Sequence, residues 1–163
     1  MREYVEKLIR EYPMMLQHRD FLKRQIENYQ PITVEDVIDS MTFSRPDGER
    51  VQTGRTSDKT CSIAMYCRDK VNRMNEEVIR DWVKEYDQLD EEISFLENCI
   101  RKLPSYLAEV ISELVLERVS WDEAEQNIGV SRNTIAKRRK EAIQLITLDY
   151  QKRASEEEAL MLG

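Results

Sequence analysis

Four glycines and four prolines in 163 residues leave few positions for tight turns. Together with charged side chains at 35%, that scarcity argues against a many-stranded barrel or sandwich. It favours long helices laced with surface charge. Apolar runs are short, and none approaches the length of a membrane span. The opening MREYVEKLIREYP lacks the apolar core of a secretory signal. Cysteine is scarce and odd in number. Cys61, Cys67 and Cys99 form no C-x-x-C pair and read as small thiols of a reducing compartment. Histidine occurs once, at His18 among helix-forming residues, and no H-E-x-x-H, P-loop, Gly-rich dinucleotide turn or nucleophile elbow is present. The expectation is a soluble, cytoplasmic, all-α protein that is not an enzyme and uses no cofactor and no metal. Its length suits one domain, or two small lobes joined by a helix.

Apolar side chains then set the elements. Val5, Leu8, Tyr12, Met15, Leu22, Ile26 and Tyr29 recur at gaps of three, four and seven, with Arg19 at the one polar position. Pro13 disfavours helical geometry at Tyr12, so a kink or fresh start is expected there, with the main helix from about Pro13 to Tyr29. Pro31 stops it, and Thr33 suits the cap of a short helix, TVEDVIDS. These N-terminal helices occupy residues 1–40. Residues 41–59 read as a mobile loop, with a turn at Pro46-Asp47-Gly48 and flanks TFS and RVQT too short for more than a marginal hairpin. Its Arg45, Arg50 and Arg55 read either as solvated or as contacts to a phosphate backbone. Residues 60–103 read as one long coiled-coil-like helix. Cys67, Val71, Met74, Val78, Trp82, Tyr86, Leu89, Ile93, Leu96, Ile100 and Leu103 step by three or four throughout, with a stutter from Val78 to Leu89. The two stripes predict a helical hairpin, or a coiled coil shared between copies.

Net charge is −7, which taken alone disfavours a nucleic-acid partner. Its distribution says otherwise. Ser105 to Val130 holds six acids and only Arg118 as a base. Ser131 to Arg153 holds Arg132, Lys137, Arg138, Arg139, Lys140, Lys152 and Arg153 against Glu141 and Asp149. An acidic tail, 151–163, then adds Glu156, Glu157 and Glu158. One basic helix in an acidic protein fits either a DNA-reading helix or a face that docks on an acidic partner.

Residues 104–150 carry the most specific pattern. Pro104 suits a helix start, and Leu107, Val110, Ile111 and Leu114 give that helix one apolar face. Ser120-Trp121-Asp122-Glu123 is a capping box. Ile128-Gly129-Val130 is a tight turn in which Gly129 permits positive φ while Ile128 and Val130 plug the space between helices. Ser131 caps the next helix, RNTIAKRRKEAIQLITLDY, with Ile135, Ala142 and Ile146 facing inward. Cap, glycine turn, cap and basic helix predict a helix-turn-helix that binds double-stranded DNA. Arg132, Asn133, Ala136 and Lys137 stand where side chains reach base edges in the major groove. Ser131, Thr134, Arg139 and Lys140 are placed for phosphates, which position the protein without specifying sequence.

The segment SWDEAEQNIGVSRNTIAKRRKEAIQLI resembles region four of bacterial sigma factors, whose helix-turn-helix reads the −35 promoter element. The wider layout, including Ser57-Asp58-Lys59 ahead of a long helix, resembles the sigma-like phage late-transcription regulators of the ArpU and RinA type. The resemblance extends loosely from Leu16 to Ile146, and its specific motifs lie between Leu103 and Ile146. It implies a phage or prophage regulator of late-gene promoters that works with RNA polymerase. The chain departs from the family at Ala124-Glu125, where an aliphatic residue and an alanine are usual. A carboxylate there calls for an outward tilt or a basic partner such as Arg138. A second reading is a DNA-packaging component, a small terminase-like subunit that recognises DNA with the same motif. A third is a coiled-coil interaction protein without DNA binding. The N-terminal helices then serve contact with polymerase or homo-oligomer formation; no membrane is involved.

Overall fold

A computed structural model describes residues 1–37 and 58–162. The expected loop, with Arg45, Arg50 and Arg55, lies outside the described residues, as do the end of TVEDVIDS and the side chain of Cys61. Every regular element among the described residues is helical, and none is a strand. The helices are α1 (Arg2–Glu27), α2 (Asp58–Lys102), α3 (Ser105–Ile111), a π turn (Ser112–Leu116), α4 (Trp121–Ile128) and α5 (Arg132–Leu162). Residues 34–37 are also helical. No described helix is long and apolar enough to cross a membrane.

The chain forms two compact units, Met1–Asp20 with Gln88–Gly163, and Phe21–Asp87. The core of the first is built from five elements. Val5, Leu8, Ile9 and Tyr12 of α1 meet Ile93, Leu96, Cys99 and Ile100 of α2, Leu107 and Ile111 of α3, Val115 of the π turn, and Ile143, Ile146 and Tyr150 of α5. Leu103, at the expected boundary between the long helix and the motif region, is itself buried in this core. In the second unit Tyr29 packs edge-on against Trp82. Its hydroxyl donates to Asn75, whose amide also holds the backbone of Ile32.

Two local expectations are corrected, and a third local feature had no sign in the sequence. The first concerns Pro13, which neither ends α1 nor restarts it; the helix runs through it from Arg2 to Glu27. A proline inside a helix costs about 3 kcal/mol. Four buried side chains upstream, Val5, Leu8, Ile9 and Tyr12, each contribute roughly 1.5–3 kcal/mol, so packing outweighs the lost bond. The second concerns the polar tail, which is not separate, because α5 continues to Leu162. Arg153 explains the continuation. It binds Glu91 at 2.8 Å, Glu92 at 3.4 Å and Glu157 at 2.9 Å, and lies over the Phe95 ring. The third is at the end of α3, where the chain widens into the π turn, with Glu117 N–H donating to the Ser112 carbonyl. It leaves Arg118 at φ +60°.

The stripe on α1 is otherwise placed as read. Arg19, its one polar position, meets Asp90 at 3.1 Å, and Tyr12 donates to Glu97 at 2.7 Å. On α2, Ile93, Leu96 and Ile100 are buried, whereas Met74 and Val78 are 47% and 38% exposed.

Candidate nucleic-acid interface

Two short-range devices fix α4. The Ser120 hydroxyl accepts from the Glu123 N–H, and the Glu123 carboxylate accepts from the Ser120 N–H at 2.9 Å. Those bonds hold the Glu123 carboxyl below its usual range. At the other end Gly129 adopts φ +71°, and its N–H returns to the Glu125 carbonyl. A Cβ on Gly129 would meet open space, so the turn needs glycine for its backbone angle and not for room.

Below the turn lies a second, smaller core. Val110, Ala124 and Ile135 are fully buried, with Leu114, Val119, Trp121, Ile128 and Val130 packed around them. Ala124 lets α4 approach closely, while Ile128 and Val130 fill the flanks of the turn. The departure at Glu125 has a definite solution. Its carboxylate accepts the Arg132 N–H at 3.2 Å and so satisfies one of the open amides at the start of α5. Arg138, the partner named from sequence, instead lies over Tyr106, 5.7 Å from the ring centroid. Ser131 starts α5 chiefly through its carbonyl, which accepts from Thr134 and Ile135 at 2.8 and 3.0 Å; its hydroxyl reaches Thr134 N–H only at 3.4 Å.

The sequence-derived contact residues divide clearly. Ser131, Arg132, Asn133, Ala136, Lys137 and Lys140 are exposed on the first half of α5, and Thr134 and Arg139 are half-buried. Lys137 and Lys140 form no ion pair with a described residue. Arg132 is held in place: it binds Asp122 at 3.2 Å and lies 5.7 Å from the Trp121 ring centroid. Arg139 turns toward a cleft that it shares with Arg10 and Arg118. Arg153, counted from sequence with the basic helix, is spent on Glu91, Glu92 and Glu157. The positive field of α5 is therefore concentrated in its first three turns.

Sequence reasoning missed the Asp122 and Glu125 contacts to Arg132, although both acids stand a few residues upstream. The Arg10–Arg118–Arg139 grouping had no local signal, since three distant segments supply it. Among the described residues no cluster of His, Cys, Asp and Glu is placed to hold a metal ion. No family model matches the chain, and no curated protein or solved structure is found to be similar to it.

Proposed function

We infer that the chain is a sequence-specific, DNA-binding transcription regulator in which α4 and α5 act as a helix-turn-helix. One observation carries this reading. The first half of α5 presents Arg132, Asn133, Ala136, Lys137 and Lys140 together to solvent, on a helix whose entry angle is set by a capping box and a left-handed glycine. A helix presented this way fits the major groove end-on. The Arg132–Asp122 pair does not oppose the role. An exposed ion pair is worth about 0–1 kcal/mol, less than the roughly 1–3 kcal/mol of a bidentate base contact, so guanine displaces Asp122.

The resemblance to sigma region four and to ArpU/RinA-type regulators extends the reading to late-gene promoters of a phage or prophage, with RNA polymerase as partner and the cytoplasm as location. The exposed Met74 and Val78 of α2, with Met65, Tyr66 and Val83, favour a further contact by that helix, to polymerase or to a second copy. A packaging subunit would use the same side chains in a ring, and mass in solution separates the two: a ring of many subunits favours packaging.

The test is selection of a binding site from random duplexes, then titration of three proteins on that site and on scrambled DNA at one salt concentration. Arg132→Ala should weaken the selected site roughly tenfold to a hundredfold and scrambled DNA far less. Lys140→Ala should weaken both alike. Equal losses for both variants on both DNAs would remove base readout by Arg132.

A further inference from the structure

Beside the reading end of α5, within the unit that includes α1, lies a cleft of about 590 Å³. Ile9, Pro13, Leu114, Val115, Val119 and Trp121 form its apolar walls. Three arginines line it from three segments: Arg10 of α1, Arg118 just after the π turn, and Arg139 of α5. The one acid lining it, Glu6, is already bound to Arg2 at 3.0 Å. None of the three guanidinium groups makes an ion pair or side-chain hydrogen bond with a described residue. Arg19, Arg132 and Arg153 behave differently, each holding a carboxylate.

Three cations without carboxylate partners gather around one water-accessible cleft, which gives it a local positive field. An anion suits that field, and planar guanidinium forks match phosphate oxygens. Position selects the source of the phosphate. Arg139 lies three residues beyond Ala136 and seven beyond Arg132, which places the three on one side of α5, so the cleft continues the exposed face proposed to read bases. Arg118 is set beside the cleft by the closure of the π turn, where it takes φ +60° and the Val119 N–H donates to the Glu113 carbonyl.

We propose that Arg10, Arg118 and Arg139 form a phosphodiester-binding cleft that carries the DNA backbone beyond the recognition end of α5. The proposal rests on the DNA-binding reading and extends it by making α1, outside the helix-turn-helix, part of the DNA surface.

The experiment uses the full chain and the selected duplex, titrated across a salt series. Arg10→Gln keeps a helix former in α1, and Arg118→Asn places at φ +60° a residue that tolerates it. Each should reduce the slope of log affinity against log salt by about 0.9, and the pair by about 1.8. Selected and scrambled DNA should lose affinity in equal proportion, and Arg10→Lys should restore most of the slope. Thermal melting by circular dichroism of each variant should match the parent, which separates a lost contact from a lost fold. If the double variant keeps the full slope while Lys140→Ala reduces it, DNA binding stands and this cleft takes no part in it. If the parent shows no slope, the DNA-binding reading and the cleft fall together. Tight binding of inorganic phosphate alone, or of an acidic peptide, that the double variant loses while its DNA slope is unchanged would reassign the cleft and overturn the proposal.

Discussion

Tyr150 shows how a buried side chain shapes this fold at the scale of single atoms. Its ring meets Tyr4 and Phe95 edge-on, and its hydroxyl is buried with no hydrogen-bond partner among the described residues. Burial, followed by the nearby Glu92 carboxylate, pushes its pKa well above the ordinary value. An unsatisfied buried donor costs about 1–3 kcal/mol. Tyr150→Phe should therefore leave stability unchanged or raise it by up to that amount, read from urea unfolding. A large loss would mean that the hydroxyl has a partner in solution. Burial likewise raises the Cys99 thiol to about 11, so Cys99 stays protonated at neutral pH. It should resist alkylation in the folded chain and react only after denaturation. Arg153 is the opposite case, a charge whose carboxylate partners are all in place. Arg153→Met should cost about 1–3 kcal/mol, because Glu91 and Glu92 lose their shared cation while remaining partly exposed.

Helix ends carry the clearest consequences at the scale of elements. Ser120→Ala removes the cap of α4 and should cost roughly 0.5–2 kcal/mol. The same box links stability to pH. Glu123 has a folded pKa below its unfolded one, so its contribution is full at neutral pH and is lost as pH falls through the folded value. Melting of the parent and of Glu123→Gln should differ at neutral pH and converge in acid. A constant gap would mean that the carboxylate charge is not what Ser120 N–H recognises. These devices were legible in the sequence because each is local, the capping box and Gly129 within a few residues and the apolar spacing of α3 and α5 within one helix. The Pro13 break and the tail were misread for one reason, that local propensity loses to packing and charge supplied from afar. Pro13 is overruled by Val5 to Tyr12 on the core, and the tail by Arg153 reaching α2. The three-arginine cleft and the Arg153 cluster join residues more than sixty positions apart, and spacing along a chain carries no sign of such pairs. Glu125 falls between the two cases: its oddity was visible, but its bond to the Arg132 N–H depends on the turn geometry.

At the scale of the whole molecule, α1 belongs to the unit that contains α4 and α5, since Val5, Leu8, Ile9 and Tyr12 share one core with Ile143 and Ile146. Leu8→Ala should then cost about 2–5 kcal/mol, and Trp121 fluorescence in a Trp82→Phe background should report the loss together with far-UV dichroism. A Trp121 transition unmoved by Leu8→Ala would show that α4 and α5 fold without α1. Charge is also arranged at this scale. In this net −7 protein carboxylates hold Arg2, Lys7, Arg19, Lys23, Arg132 and Arg153, whereas Lys137, Arg139 and Lys140, along with Arg10 and Arg118, have no ion-pair partner among the described residues. Their grouping around the first half of α5 gives that face a local positive field in a net-negative chain. The central claim is that this face neutralises DNA phosphates, and the salt dependence of binding measures it most directly. Fluorescence titration of a labelled duplex across a salt series should give a slope of log affinity against log salt of about −4, from four or five contacts at roughly 0.9 each. Binding that is absent, or that holds the same affinity at every salt concentration, would contradict the account.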